Sequence, residues 1–356
     1  MKKIAIVHDF LNQQGGAEYV VAVLHEMFPE APIYTSFYFP DKTWPIFKNA
    51  NIKVSWMQNI PFINKHFKKL FFLYPFAFRS FNLKDYDVII SSCSAFGKSI
   101  KVRKGQKHIC YLHTPPRFLY RTEEYVKKEG VNIFYKFVLP LFLAVLRVWD
   151  KYTNKSVTLF VANSKNIQNR IKNIYKRDSI VIYPPVDLDR FPASDIKDDF
   201  YLIISRLVGY KRIDLAVKAF NKLGDTLVVI GSGSDYKNLK KMASPNIEIM
   251  GFQKDEVVEA MINRCKAFIF PGEEDFGITP VEAQAAGKPV IAFKAGGALE
   301  TVIDGETGVF FEKQNEESLC NAISDFKKIN WSQEKIRNNA EKFSKNIFIE
   351  NIKKIV

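Results

Sequence analysis

Apolar residues in the first half of the chain fall into short unbroken runs: KIAIVHD near the start, DVIISS over 87–92, HICYLH over 108–113 and TLFVANS over 158–164. Such runs, which do not alternate and are too short for helices, predict strands buried on both faces of a parallel sheet. Longer segments with helical spacing lie between them, the first being AEYVVAVLHEMF after a Gly15-Gly16 turn. Strands alternating with helices predict a doubly wound α/β domain. The pattern then restarts with FYLIISR, TLVVIGSG, IEIMG, AFIFPG and PVIAF, again separated by helix-compatible stretches. The segment between the two series, SIVIYPPVDLDRFPASDIKDD (179–199), is rich in Pro and Asp and reads as an interdomain linker. We expect a first Rossmann-like domain over 1–187 and a second over 188–339, with the basic helical C-terminal stretch, about 340–356, packing back on the first. Two such domains leave a cleft between the C-terminal edges of their strands, where ligands of open α/β sheets bind.

Composition narrows the picture. With 47% hydrophobic and 25% charged residues in 356, the chain is globular and not disordered. Charge is unevenly placed: residues 1–187 hold 28 Lys and Arg against 13 Asp and Glu, and the remainder 24 against 25. The first half therefore calls for an anionic partner, whether a membrane surface, a phosphorylated substrate or nucleic acid. Cys93, Cys110, Cys265 and Cys320 form no C-x-x-C and read as buried thiols of a reducing compartment. The apolar run of MKKIAIVHDF is cut by His8 and Asp9, too early for a signal peptide. FVLPLFLAVL (137–146) is too short to span a bilayer. The expected location is cytoplasmic.

Candidate chemistry centres on PGEEDFGITPVEAQAAGKPV (271–290), which follows a strand and starts a helix. Thr279, Pro280 and Glu282 have the spacing of an N-cap, an N1 proline and an N3 acid, so Glu282 has a purely capping reading. The alternative reading starts from the helix N-terminus, which attracts phosphate, with Gly277 allowing close approach. Carboxylates on either side, Glu274 and Glu282, would then accept hydrogen bonds from sugar hydroxyls. A nucleotide sugar carries such hydroxyls at both ends of its diphosphate.

This stretch resembles the E-x7-E signature of retaining GT-B glycosyltransferases of family four, with Glu274 and Glu282 in register and Glu273 one residue off. The resemblance is strongest to the O-antigen and exopolysaccharide mannosyltransferase-like subgroup. It extends to Gly15-Gly16-Ala17-Glu18, to Tyr111-Leu112-His113-Thr114-Pro115-Pro116-Arg117, to Val161-Ala162-Asn163-Ser164, to Tyr183-Pro184-Pro185-Val186-Asp187, and to Ser205-Arg206-Leu207 with Lys211. It implies a GT-B fold of two Rossmann-like domains and a nucleotide-sugar donor, GDP-mannose in the first instance and a UDP-sugar as the alternative. It also implies a lipid-linked or glycan acceptor and transfer with retained configuration. Carried over residue by residue, Glu274 meets the donor sugar, Glu282 the ribose, and the backbone of Phe276, Gly277 and Ile278 the sugar and phosphates. Arg206 and Lys211 would hold the diphosphate, Gly15 and Gly16 would form the N-terminal glycine loop at the donor, and His113 would position the sugar. Neither a metal nor another cofactor is implied, and Asp187-Leu188-Asp189, lying in the linker, reads as an incidental D-x-D.

Further candidates rest on weaker patterns. Asp9, at the end of the first strand, is placed at the acceptor. The segment PFINKHFKKLFFLYPFAFRSFN (61–82) has no acid and interleaves Lys65, Lys68, Lys69 and Arg79 with Phe71, Phe72 and five further phenylalanines. It reads either as an amphipathic element on an anionic membrane or as a core helix with a solvated basic face. No nucleic-acid motif accompanies it. Gly231-Ser232-Gly233 lacks the rest of a dinucleotide fingerprint and reads as a tight turn. A nucleotide-sugar epimerase and a non-catalytic sugar-nucleotide binder are the competing classes.

Overall fold

The structure, a computed structural model, describes residues 2–67, 69–120, 133–194 and 196–356. They divide into two units, Met1–Pro184 with Ile349–Val356, and Pro185–Phe348.

The first unit holds a seven-stranded parallel sheet of β1 (Ile4–His8), β2 (Ile33–Thr35), β3 (Ile52–Val54), β4 (Val88–Cys93), β5 (Lys107–Leu112), β6 (Leu159–Ala162) and β7 (Ser179–Val181). Their order is β3-β2-β1-β4-β5-β6-β7. The four unbroken apolar runs are the four central strands. Val7 and Ile89 pack into one core with Phe37, Phe78 and Leu143, and Cys110, Leu112 and Phe160 into another with Ile167 and Ile171, so both faces are covered. Three-residue strands carry too few positions to show a pattern, which hides β2, β3 and β7. Strand β7 corrects the linker reading: residues 179–181 belong to the first sheet, and the units part between Pro184 and Pro185. The main helices are α1 (Gly16–Met27), α2 (Tyr74–Arg79), α3 (Ile133–Thr153) and α4 (Lys165–Tyr175).

The second unit is a six-stranded parallel sheet of β8 (Phe200–Ile204), β9 (Thr226–Ile230), β10 (Ile247–Gly251), β11 (Ala267–Phe270), β12 (Val290–Phe293) and β13 (Gly308–Phe311), ordered β10-β9-β8-β11-β12-β13. Its helices include α5 (Ile213–Leu223), α6 (Asp255–Arg264), α7 (Ile278–Ala285), α8 (Glu316–Phe326), α9 (Gln333–Glu341) and α10 (Lys345–Ile355). The end of α10 groups with the first unit, where Lys107 Nζ donates to the Ile355 carbonyl at 2.6 Å.

Strand order reverses between β1 and β4 in one sheet and between β8 and β11 in the other. At such a reversal the helices leave to opposite faces and the strand-end loops open a crevice. The segment 61–82 is not one helix but short helical pieces ending in α2: Tyr74, Ala77, Phe78 and Phe81 are core residues, whereas Phe62 and Phe76 are exposed. Among the described residues no helix is long and apolar enough to cross a membrane.

Candidate functional site

In the second unit the loops after β8 and β11 meet at the reversal. A side chain at Gly272 would press on the Lys211 backbone, with its Cβ 2.9 Å from the carbonyl oxygen. Ser205, Lys211, Pro271 and Gly272 line a small crevice there. Lys211 closes a 3-10 turn, Gly209–Lys211, and its ammonium pairs with the Glu274 carboxylate; both side chains are largely buried, at 16% and 13% exposure. Two motifs distant in sequence are thereby joined by one ion pair. Arg206 is exposed on the same loop and donates from Nη2 to the Tyr210 hydroxyl at 2.7 Å.

Helix α7 starts earlier than its sequence suggests. Gly277 is the N-cap at φ +89°, a conformation that favours glycine, and no side chain caps the helix. Thr279 therefore lies inside the first turn, and the capping-box reading of Thr279 and Glu282 is corrected. The loop before the helix is braced by Gly297, whose N–H donates to the Glu274 carbonyl at 2.8 Å and whose Cβ, if present, would lie 2.1 Å from the Phe276 carbonyl oxygen. Phe276 turns its ring into the core against Phe343, centroids 5.5 Å apart. Ile278 is half-buried at the first turn.

Released from capping, Glu282 sits in a cluster that the sequence did not disclose. Burial pushes its carboxyl up to about 7; Arg190 pulls it down, and Asp255, Asp187 and Glu259 push it further up. Arg190 itself contacts Glu259 at 2.9 Å and Asp255 at 3.4 Å. Nothing in local spacing marks Arg190, which comes from the 3-10 turn Leu188–Arg190 just after the unit boundary. Gly233 is set close against the Leu207 carbonyl, and Leu207 N–H donates to the Ser232 carbonyl at 2.9 Å, so 231–233 clasps the loop carrying Arg206.

The first unit gathers its candidates at its own reversal. Gly15 is the N-cap of α1 and Gly16 its first residue. Beneath them Glu18 is buried, with Oε1 accepting from Gln13 Nε2 at 2.9 Å and lying 3.9 Å from His8 Nε2. Burial would lower His8, but the Glu18 carboxylate, Asp9 and the Ser92 carbonyl outweigh it and hold the imidazole above its ordinary range. His8 Nδ1 lies 2.8 Å from the Ser92 carbonyl, and Ser92 Oγ lies 2.8 Å from His113 Nε2. His113, half-buried at the end of β5, is thus held at one ring nitrogen; burial, with the charge of His8 adding to it, pushes it down to about 3 and keeps it neutral. The neighbouring Ser91 holds His108 at 2.8 Å in the same way on the opposite side of β4.

Asp9, expected at the acceptor, is buried in the structure. It is 1% exposed, and its carboxylate accepts the backbone N–H groups of Ser94 at 2.6 Å, Ala95 at 2.9 Å, Phe96 at 3.0 Å and Gly97 at 2.7 Å. It fixes the loop after β4. Of the basic aromatic candidates, Lys65 and Lys69 are exposed, Phe72 is 37% exposed, and Arg79 lies over the Trp149 ring at 5.5 Å. Phe71 is half-buried and packs against Phe118, centroids 5.1 Å apart, at the edge of the core. Lys68 lies outside the described residues. Among the described residues no three His, Cys, Asp or Glu side chains converge as a metal site.

Two parallel-sheet Rossmann-like units, each with its loops gathered at a reversal of strand order, define the GT-B architecture. The family model described as Glycosyltransferase Family 4 matches residues 14–190, and that described as Glycosyl transferases group 1 matches residues 186–343. The chain belongs to the family-four, group-1 glycosyltransferases. The uncharacterized glycosyltransferase MJ1178 of Methanocaldococcus jannaschii is 29% identical over 205 residues, 56% of this chain and 58% of that one. The alpha-1,3/1,6-mannosyltransferase ALG2 of Dictyostelium discoideum is 26% identical over 69% of this chain and 66% of its own. ALG2 of Candida glabrata is 24% identical over 97% and 87%. The chain thus spans less than two thirds of the first two of these relatives. Among solved structures, Anabaena Alr3699/HepE in complex with UDP shares the fold with a TM-score of 0.74 at 18% identity, over 99% of each chain.

Proposed function

We propose that the protein is a retaining hexosyltransferase that moves mannose from GDP-mannose to a lipid-linked or glycan acceptor in cell-surface polysaccharide synthesis. It would act in the cytoplasm on the inner face of the membrane and without a metal ion. The observation that carries this reading is the meeting of Lys211 and Glu274 at the β8/β11 reversal, beside the N-terminus of α7. Lys211 and Arg206 neutralise the donor diphosphate, aided by the helix N-terminus. Glu274, once Lys211 has turned to phosphate, accepts from the sugar hydroxyls, and Glu282 accepts from the ribose. The bond from the anomeric carbon to phosphate oxygen breaks with its electron pair going to the diphosphate. The acceptor hydroxyl forms the new bond on the same face and passes its proton to the departing phosphate oxygen. His113 serves as a neutral hydrogen-bonding group for the sugar. The mannosyltransferase names of the ALG2 relatives support the donor. A UDP-sugar is the second reading, favoured by solved neighbours in complex with UDP and UDP-glucose.

Thermal unfolding with GDP, UDP, ADP and their sugar conjugates, each with EDTA or magnesium, tests the proposal. A nucleotide at 100 times its dissociation constant stabilises by about 2.7 kcal/mol. A GDP-selective shift that survives EDTA is expected. A UDP-selective shift keeps the reaction and changes the donor, a magnesium requirement removes the metal-free step, and no shift in folded protein leaves a non-catalytic chain. Glu274→Ala should lower turnover and spare nucleoside diphosphate affinity, whereas Glu282→Ala should weaken that affinity.

A further inference from the structure

Helix α3 is fastened on one side and apolar on the other. Inward, Leu143 and Leu146 join the core, and buried Asp150 pairs with Lys98 and accepts the Tyr120 and Tyr175 hydroxyls at 2.9 and 2.8 Å. Outward, Leu141, Val145, Val148 and Tyr152 recur at helical spacing and are 73%, 60%, 70% and 58% exposed. Phe76, 60% exposed, touches Trp149 with ring centroids 5.9 Å apart, and Phe72, 37% exposed, lies 6.1 Å from Phe142, so two residues of the 61–82 segment extend the same face. A surface helix ordinarily turns polar residues outward, and a contiguous apolar face of this kind marks an interaction site.

Among the described residues, the charges that lie over its aromatic rings are of one sign. Arg79 lies over Trp149, Lys155 lies over the Tyr152 ring at 5.4 Å, and Lys151 is exposed. Segment 61–82 contains no acid, and the only acid in α3 is the buried Asp150. A second copy of the chain seated on this face would set these cations against their own kind. An anionic lipid surface satisfies both features, taking apolar and aromatic side chains at the acyl boundary and Lys and Arg at the phosphates.

We propose that the outer face of α3, with Phe72 and Phe76, seats the protein on an anionic bilayer. The inference deepens the membrane location proposed above and needs neither the donor assignment nor the transfer chemistry. The full chain is to be sedimented without nucleotide, with vesicles of phosphatidylcholine alone or with one third phosphatidylglycerol. Binding to the anionic vesicles only is expected. The triple variant Leu141→Gln, Val145→Gln, Val148→Gln should lower the partition coefficient at least about tenfold. Lys151→Ala with Lys155→Ala should lower it about tenfold and flatten its salt dependence. Because all five side chains are exposed, the thermal midpoint reports that these variants fold. Transfer to a soluble acceptor should be unchanged in them, so membrane seating and catalysis fail separately. Three results overturn the proposal: wild-type protein left in the supernatant, the triple variant binding as tightly as wild type, or self-association or capture of a protein partner, rather than vesicle binding, being what the triple variant loses.

Discussion

The two reversal points, alike in topology, treat their charges oppositely. At the first, Asp9 is closed off by four backbone N–H groups, and His8 and Glu18 are buried beside each other. At the second, Lys211 and Glu274 keep some exposure and satisfy one another, Arg206 is open to solvent, and Glu282 sits among further acids. Charges bound to the chain's own backbone fix a shape. Charges that neutralise each other can exchange that partner for a ligand, since the loop geometry around them is set independently by Gly272 and Gly297. The first edge is therefore fixed by its own backbone around His113, and the second keeps the charges that the proposed donor diphosphate would take up.

That contrast can be broken most directly by removing Asp9. Asp9→Ala strands four amides and should cost about 3–5 kcal/mol, as loss of one side of a buried charged interaction does. Urea unfolding measures it, and hydrogen exchange at 94–97 should accelerate with it; a cost below about 1 kcal/mol would deny Asp9 its structural part. Lys211→Ala should act chiefly on activity, lowering kcat/KM about 100- to 1,000-fold, with a loss of stability, from the largely buried Glu274 carboxylate it leaves unpaired, smaller than that of Asp9→Ala. Loss of stability with activity retained would make the Lys211–Glu274 pair a strut.

The pH dependence gives a smaller and sharper test. Glu282 rises from its ordinary 4.5 to about 7, so between these values the folded chain holds its proton more tightly than the unfolded one. Its contribution to stability is present below pH 4.5 and is lost as pH rises through 7. Nucleoside diphosphate affinity, if it uses the carboxylate, should move the other way and rise up to about tenfold between pH 6 and 8, as titration calorimetry would show. Glu282→Gln should flatten that rise; persistence of the rise assigns it to another group. His113, held neutral down to about 3, adds nothing in this window. The smallest effect is expected from Ser92→Ala, which frees one ring nitrogen of His113 at a cost near 1 kcal/mol, about 3- to 10-fold in kcat with KM unchanged. A matching change in KM would mean that Ser92 acts on binding and not on the orientation of His113.

Long buried strands announced themselves because both faces are covered, as Ile89, Ile90 and Cys110 illustrate. The short strands β2, β3, β7 and β13 did not, since three or four residues at or next to a sheet edge satisfy many patterns. Glu274, Lys211 and Arg206 were legible through motif spacing, because loops that follow strands keep their place in sequence. Arg190, Ser92 and the backbone partners of Asp9 were not, because each depends on which strands become neighbours, and register between distant segments leaves no local trace. The capping signal at Thr279 misled for a related reason: Gly277 offered an earlier turn that a capping rule does not weigh. In 61–82 composition showed that basic and aromatic residues mix, but only packing separated buried Phe78 and Phe81 and partly buried Phe71 from exposed Phe72 and Phe76.

The return of α10 to the first unit bears on the order of synthesis. Residues 2–184 leave the ribosome well before Ile349–Val356, which belong to the same unit, and Ile352 is 1% exposed in the finished protein. A nascent chain that has just completed Phe348 still carries an uncovered apolar seat on its first half. Transiently exposed apolar surface of this kind is what makes an incomplete chain prone to aggregate, so the time needed to translate the second unit is an interval of expected risk for the first.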